Sequence, residues 1–135
     1  MRGDAISPKT TLVKVALDTN ILLDMTRLKI DVFDQLHGLV GGALLVVPIQ
    51  VKQELQTLSV ARGKDGLAAR IALESLPKHG VKVVPATGER GDDALVDLAQ
   101  KGYIIATNDK ALRQSLKNNP QRAIVVRQSK YLAWN

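Results

Sequence analysis

The sequence predicts a single α/β domain, a three-layer sandwich in which helices flank a mostly parallel central sheet. Short apolar runs rich in β-branched residues alternate with stretches whose apolar residues recur at helical spacing, which is typical of right-handed strand–helix–strand crossovers. The 135 residues are 45% hydrophobic and 24% charged, a balance that favours one packed core. We expect residues 1–11, which lack periodicity, to form a flexible leader and residues 12–135 to form the domain.

The first half of the chain is predicted to alternate two strands with four helical stretches. The expected strands are 12–17 and 43–47, and the expected helical stretches are 21–25, 32–40, a run from Ile49, and 64–76. Pro48 should stand at or just before the first turn of the third helical stretch. In the fourth, Leu67, Ala68, Ile71 and Ala72 are expected to face inward, and Pro77 is expected to close the helix.

The second half is predicted to add three strands and two helices. The expected strands are 81–84, 103–106 and 123–126, and the expected helices run from Asp92 to a break at Gly102 and over 109–116. The tail from Arg127 to Trp134 either contacts RNA or a partner, or forms a packed terminal strand. A mostly parallel sheet of this kind places ligands at the carboxyl ends of its strands.

The composition narrows the function classes. There is no cysteine, which excludes disulfide staples, thiolate metal sites and a cysteine nucleophile. The net charge of +6 favours a polyanionic partner, and the 3% aromatic content argues against base-stacking platforms, so recognition of RNA should use the phosphate backbone. With neither an apolar run near the ~18 residues that span a bilayer nor the apolar core of a signal peptide, a cytoplasmic protein without membrane contact is expected.

Four carboxylates from distant segments are predicted to converge. Asp18 directly follows the first strand, and Asp109 stands three residues after the strand at 103–106, so both should lie at the same edge of the sheet. Asp93 is in the first turn of a helix, and Glu54 is about two turns into another, from which its longer side chain can reach a shared cleft.

Such a cluster indicates a divalent cation. Like charges a few ångströms apart repel and raise one another's pKa, whereas a cation between them removes that cost. Mg²⁺ and Mn²⁺ prefer carboxylate and water oxygens, and Mg²⁺ keeps several waters that substrate phosphate can replace. On a basic chain, an acidic pocket is therefore best explained as a metal site that faces a phosphodiester.

Plainer interpretations remain open for most of the acids. Helix caps and first-turn acids are common at three of the positions, Asp92, Asp93 and Asp109. Glu54 could be an ordinary exposed helix residue, while Asp18 needs a partner or an ion because it follows a buried strand. His37 and His79 are expected to be ordinary polar residues near helix ends, and no matching His or Ser nucleophile is found.

The motifs resemble those of the PIN-domain nuclease family from residue 13 to about 127. Four runs carry the resemblance: Leu17-Asp18-Thr19-Asn20, Glu54-Leu55 after Pro48, Asp92-Asp93-Ala94-Leu95, and Ala106-Thr107-Asn108-Asp109. The resemblance implies a Mg²⁺- or Mn²⁺-dependent endoribonuclease that leaves a 5′-phosphate and a 3′-hydroxyl. It implies that the metal-binding acids are Asp18, Glu54, Asp93 and Asp109, with Asp92 as a substitute or helper. It also implies that Asn20 and Thr107 orient these acids by hydrogen bonds.

Two branches of the family share these motifs. VapC toxins usually pair with an antitoxin protein, whereas the Asp-Asp-Ala and Ala-Thr-Asn-Asp-Lys runs and the chain's ending more closely resemble the branch related to rRNA-processing PIN endonucleases, for which ribosome-assembly factors are the expected partners. The resemblance also makes a homodimer plausible. Lys110 and Arg113 are candidate RNA contacts beside Asp109, with a solvated helix face as the alternative. The alternative function is a catalytically silent PIN-like module that binds RNA or assists ribosome assembly.

Overall fold

The computed structural model describes residues 12–119 and 122–135, so the predicted leader at 1–11 lies outside the described residues. The strands, in chain order, are β1 (Lys14–Leu17), β2 (Leu44–Pro48), β3 (Lys82–Val84), β4 (Ile104–Ala106), β5 (Ile124–Arg127) and β6 (Tyr131–Trp134). The helices are α1 (Thr19–Arg27), α2 (Val32–Val40), α3 (Ile49–Ser59), α4 (Gly63–Lys78), α5 (Gly91–Gln100) and α6 (Lys110–Ser115).

The six strands form one sheet in the order β3-β2-β1-β4-β5-β6. The first five are parallel to their neighbours, and β6 pairs antiparallel with β5. Gln128 and Ser129, both with φ of 54°, make the tight turn of this last hairpin. The predicted α/β architecture with a mostly parallel sheet is therefore confirmed, and the tail is a packed terminal strand.

The centre of the sheet fixes where the first and last motifs meet. Val15, Ala16 and Leu17 of β1 are fully buried because strands flank them on both sides and helices cover them. Leu17 pairs with Ala106 of β4, and the amide of Asp18 donates to the Ala106 carbonyl at 3.0 Å. The residues that follow these two strands consequently leave the sheet side by side at its carboxyl edge.

Two expectations for α4 were wrong. Leu67 and Ile71 are 48% and 40% exposed, because the buried face of α4 consists of small residues that allow close packing on α1 and α3: Gly66, Ala68, Ala69, Ala72 and Ser75, together with Leu76. Pro77 lies inside the helix and does not close it. The end is set by Gly80 at φ 67°, where the amide of Val81 donates to the Leu76 carbonyl at 2.9 Å.

Other helices differ from their prediction mainly in their bounds. The turn expected at 21–25 is a nine-residue helix, α1, which begins immediately after Asp18. His79 caps the end of α4 and stacks on the ring of Phe33 with a centroid distance of 4.0 Å, which places it among ordinary packing contacts. Within the described ranges, no helix has the length and apolar content required to cross a bilayer.

Candidate active site at the carboxyl edge of the sheet

A cleft of about 500 Å³ lies at the carboxyl edge of the sheet, beside the starts of α1, α3, α5 and α6. Its acidic lining residues are Asp18, Glu54, Glu89, Asp92 and Asp109. Three of the four acids that the resemblance implies as metal ligands therefore share one cleft. The fourth, Asp93, is exposed and does not line it.

Asp18 is the most buried of these acids, with only 6% of its surface exposed. Its Oδ2 accepts a hydrogen bond of 2.6 Å from the hydroxyl of Thr107. Burial raises the pKa of Asp18 to about 6, against the lowering effect of hydrogen bonds from Thr107 and the Thr19 amide. The negative charges of Asp109 and Glu54 also raise this pKa, which means that the three carboxylates interact across the cleft.

Glu54 is not an ordinary exposed helix residue. Its Oε1 accepts from the hydroxyl of Thr19 at 2.5 Å, and its Oε2 accepts from the amide of Gly91 at 2.9 Å. A Cβ at position 91 would stand 2.7 Å from Oε1, so a larger residue there would require the Glu54 carboxylate to shift from this position. Glu54 thereby joins the starts of α1 and α5 to α3.

Asp109 fulfils the capping interpretation and also lines the cleft. Its Oδ1 accepts from the amides of Ala111 and Leu112 at 2.8 and 3.1 Å, which caps α6. The amide of Asp109 itself donates to the Thr107 hydroxyl oxygen at 3.0 Å. Capping therefore holds the carboxylate in a fixed position at the rim of the cleft, where both roles are compatible.

The structure brings Asp92 rather than Asp93 into the cleft. Successive side chains of a helix point about 100° apart, so only one residue of this pair can face Glu54 and Asp109. Asp93 packs instead against Gly88 of the preceding loop. The Oδ1 of Asp92 accepts from the Asp93 amide at 3.0 Å and lies 3.6 Å from Nε of Arg90. Sequence spacing alone did not fix the phase of α5 well enough to choose between them.

The two predicted orienting residues behave differently. Thr107 is fully buried and bonds to Asp18, as expected of an orienting residue. Asn20 lines the cleft, but its side-chain oxygen accepts from Arg27 at 3.3 Å and makes no hydrogen bond to an acid among the described residues. Thr19, next to it, makes the contact with Glu54 that the sequence analysis missed; its place in the Asp-Thr-Asn run was the available signal.

Gln50 is a second residue that the sequence analysis missed. It is 9% exposed, and its Nε2 donates to the carbonyls of Ala86 and Gly88, both at 2.7 Å. Gln50 and Glu54 lie four residues apart and thus on one face of α3. Together they tie the loop before α5, and the first turn of α5 itself, to α3. Nothing in the local sequence marks Gln50, because its partners are backbone carbonyls.

The carboxylates that line the cleft are the type of ligand that a hard divalent cation prefers. A cation there would offset both the burial of the Asp18 charge, which chiefly raises its pKa, and the smaller repulsion from Asp109 and Glu54. Within the described residues, however, no three Asp, Glu or His side chains are drawn together closely enough to hold one ion by themselves. Mg²⁺ is commonly bound through one or two carboxylates while retaining several waters, which suits so open a cleft.

The fold and the cleft define the class of protein: a mostly parallel α/β domain with carboxylates gathered at the carboxyl edge of its sheet. A family model described as a PIN like domain matches residues 15–129. The solved structure of the PIN domain endonuclease Utp24 has a TM-score of 0.74 with this chain at 26% identity, and the match covers 90% of each chain.

Three curated proteins are also similar to the chain. Ribonuclease VapC4 of Methanocaldococcus jannaschii is 32% identical over 126 residues, 89% of this chain and 95% of that protein. Ribonuclease VapC9 of Archaeoglobus fulgidus is 38% identical over 112 residues, 82% of this chain and 78% of that protein. The rRNA-processing protein fcf1 of Schizosaccharomyces pombe is 32% identical over 111 residues, 78% of this chain and 54% of that protein. The chain belongs to the PIN-domain nuclease family.

Proposed function

We propose that this protein is a metal-dependent endoribonuclease that hydrolyses RNA phosphodiester bonds in the acidic cleft. The single observation that carries the proposal is the convergence of Asp18, Glu54 and Asp109, from three separate segments, on one cleft of a PIN-domain nuclease. The basic charge of the rest of the chain and the ribonuclease names of its relatives support RNA as the substrate.

The chemistry assigned to the cleft is hydrolysis. Water attacks the phosphorus, the bond from phosphorus to the 3′ oxygen breaks, and that oxygen takes a proton, which leaves a 5′-phosphate and a 3′-hydroxyl. A bound Mg²⁺ or Mn²⁺ would supply positive charge for the scissile phosphate and would activate the water. We assign the ion to Asp18 and Asp109, with Glu54 and Asp92 as further ligands, directly or through water.

The surrounding residues prepare these carboxylates. Thr107 holds Asp18, and Thr19 and the Gly91 amide hold Glu54, so that each acid keeps one orientation before substrate arrives. Asp93, although implied by the family resemblance, would contribute only through its charge, because it faces away from the cleft. Lys110 and Arg113 remain the proposed first contacts to the RNA backbone beside Asp109.

The test is cleavage of a circular single-stranded RNA, which has no ends and therefore reports only endonuclease activity. We expect linear products with 5′-phosphates in Mn²⁺ or Mg²⁺, none in the presence of a chelator, and none with Asp109→Asn. Asp65→Asn, in the exposed first turn of α4, is the matched control and should retain activity. RNA binding without cleavage under any metal would support the catalytically silent alternative instead.

The biological role is proposed along the two branches already named. The match to almost the whole of ribonuclease VapC4 supports a single-domain toxin with an antitoxin partner, and the match to fcf1 supports a role in rRNA processing with ribosome-assembly factors. Induced expression in a bacterial host separates them. Growth arrest that Asp18→Asn abolishes supports the toxin role, whereas normal growth with accumulation of shortened rRNA precursors supports processing.

A further inference from the structure

A second cavity, which shares no lining residue with the acidic cleft, lies beside α6. Its volume is about 220 Å³, and its walls come from Ala99 of α5, Tyr103 and Ile105 around β4, and residues just before β5. Three cations line it: Arg113, Lys117 and Arg122. We call these three residues and the cavity they line the basic pocket.

The basic pocket continues into an open groove of about 600 Å³ along α6. Arg113, Lys117 and Asn135 line both cavities, and Lys110 and Gln114 complete the groove. Lys110 and Arg113 lie on α6 and Lys117 lies in the turn directly after it, so the cations form a row along this side of the domain. No Asp or Glu of the described residues lines either cavity, and none of the four cations makes an ion pair within 12–119 and 122–135.

The side chain of Arg113 provides a second observation, besides the charge of the cavity, that indicates an anion-binding site. Its Nε atom is buried and has no hydrogen-bond partner in the described part of the chain. A buried guanidinium N–H without an acceptor is unfavourable, and an anion in the pocket would allow the side chain to pair it after a small rotation. Arg122 is already held in place, since it lies 5.2 Å from the ring of Trp134 and its Nε donates to the Asn135 carbonyl at 3.3 Å.

The shape and position of these cavities select the kind of anion. Guanidinium groups bind phosphate with two parallel hydrogen bonds, which favours Arg113 and Arg122 as phosphate ligands. Lys110 directly follows Asp109 of the cleft, and Lys117 lies two residues past the end of α6, a helix of six residues that is roughly 9 Å long at about 1.5 Å per residue. The row therefore leads away from the site of cleavage, along a path that the phosphate backbone of a strand leaving the cleft can follow.

The aromatic wall of the pocket does not offer a stacking platform for a base. The ammonium group of Lys14 lies 4.5 Å from the centre of the Tyr103 ring and covers it. An RNA base would have to displace this cation, whereas a phosphate would gain from its charge. The pocket thus fits the backbone of the strand rather than its bases.

We propose that the basic pocket binds the phosphate backbone of the RNA strand outside the acidic cleft, and so sets the length of RNA that the protein holds. The proposal rests on RNA being the substrate, as argued above, but not on cleavage. It assigns Lys117 and Arg122, together with Arg113, to a phosphate site separate from the scissile one.

The experiment measures binding of fluorescent single-stranded RNA by anisotropy, with a chelator present so that metal-dependent cleavage does not interfere. The variants are Arg113→Gln with Lys117→Gln, and Arg122→Gln alone; Lys64→Gln on the exposed start of α4 is the control. For RNA of about twenty nucleotides, we expect the double variant to bind about ten-fold more weakly and its log–log salt slope to fall by about 0.7 per cation removed.

The outcomes separate this proposal from the proposed function. If the double variant binds the RNA with unchanged affinity and salt slope, the proposed phosphate site in the basic pocket is wrong, even if the protein cleaves RNA. Arg113→Lys keeps the charge but removes the guanidinium, so a partial loss with this variant would support phosphate recognition by the guanidinium. Unchanged circular dichroism spectra would exclude misfolding.

Discussion

The hydroxyl of Thr107 donates to Oδ2 of Asp18 at 2.6 Å across 89 positions of sequence, and the same hydroxyl oxygen accepts the amide of Asp109 at 3.0 Å. One buried side chain thereby links the carboxylate of Asp18 to the backbone of Asp109. β1 and β4 are adjacent and in register, which is what brings Thr107 to Asp18. Several expectations depend on this arrangement.

Replacing Thr107 with Val should raise the pKa of Asp18 further above its already raised value of about 6, because the hydroxyl lowers it now. The free energy of unfolding should fall by about 1.5–3 kcal/mol, the range for a hydrogen bond to a charged group. A carbon-13 NMR titration of the Asp18 carboxyl in metal-free protein measures the pKa. Thr107→Ser keeps the hydroxyl and should behave as wild type; a Val variant with the wild-type pKa would show that this bond does not act on Asp18.

Asp18 should make metal-free protein less stable as pH rises. Its folded pKa of about 6 exceeds the ordinary value of 3.8, so the folded state holds the proton more tightly. The contribution of Asp18 to the free energy of unfolding is therefore fully present below about pH 4. It is lost as the pH rises through about 6, and the loss is at most about 3 kcal/mol. Asp18→Asn should remove that loss and stabilise the metal-free protein near neutral pH.

The measurement is the difference in unfolding free energy between wild type and Asp18→Asn in urea, across the same pH range. The pKa of Asp24 is also raised by burial, but this residue is present in both proteins and cancels in the difference. Parallel pH profiles for the two proteins would contradict the assignment.

Asp92 and Asp93 offer a matched pair, since both stand in the first turn of α5. Replacement of either by Asn should cost the helix a similar electrostatic contribution, about 0.3–1 kcal/mol. Only Asp92→Asn should raise the Mn²⁺ concentration needed for half-maximal RNA cleavage, because only Asp92 lines the cleft. The reverse order of effects in a metal titration would mean that Asp93, as the family resemblance implies, is the ligand.

Gln50→Met should loosen the start of α5. The change removes both N–H groups that donate to the carbonyls of Ala86 and Gly88, and the loss of each of these partly buried hydrogen bonds costs about 0.5–1.5 kcal/mol in unfolding free energy. We expect faster hydrogen exchange at the Gly91 amide, which Glu54 holds. Gln56→Met, on the exposed face of the same helix, is the control. Equal exchange rates in the two variants would show that Gln50 does not hold the start of α5 in place.

The sequence predicted best those features that depend on strand ends. Asp18 and Asp109 could be placed together because a parallel sheet gathers the carboxyl ends of its strands at one edge. The choice between Asp92 and Asp93 depends on the rotational phase of a helix relative to its neighbours, which a two-residue run does not encode. Ala68 and Ala72 are buried as predicted, but Leu67 and Ile71 are exposed because α4 packs through small residues, and hydrophobicity alone does not show that the larger residues lie outside that face.

The hydrogen bonds around the acids were predictable only in part. Thr107 and Asn20 were both expected to orient carboxylates, but Arg27 engages Asn20 instead and also contacts Asp24 at 3.3 Å. A side chain's partner depends on which long residues reach it from the next turn, and several such pairings satisfy the same sequence. The backbone partners of Gln50 are not visible in any residue pattern.

The central claim is that the cleft carboxylates hold a divalent ion, and titration calorimetry with Mn²⁺ at about pH 6, where Asp18 is partly protonated, tests it most directly. We predict saturable binding to the wild type, release of protons as the raised pKa of Asp18 is lowered by the ion, and loss of binding in Asp18→Asn and Asp109→Asn but not in Asp65→Asn. No saturable binding to the wild type, or equal binding to Asp18→Asn, would contradict the account.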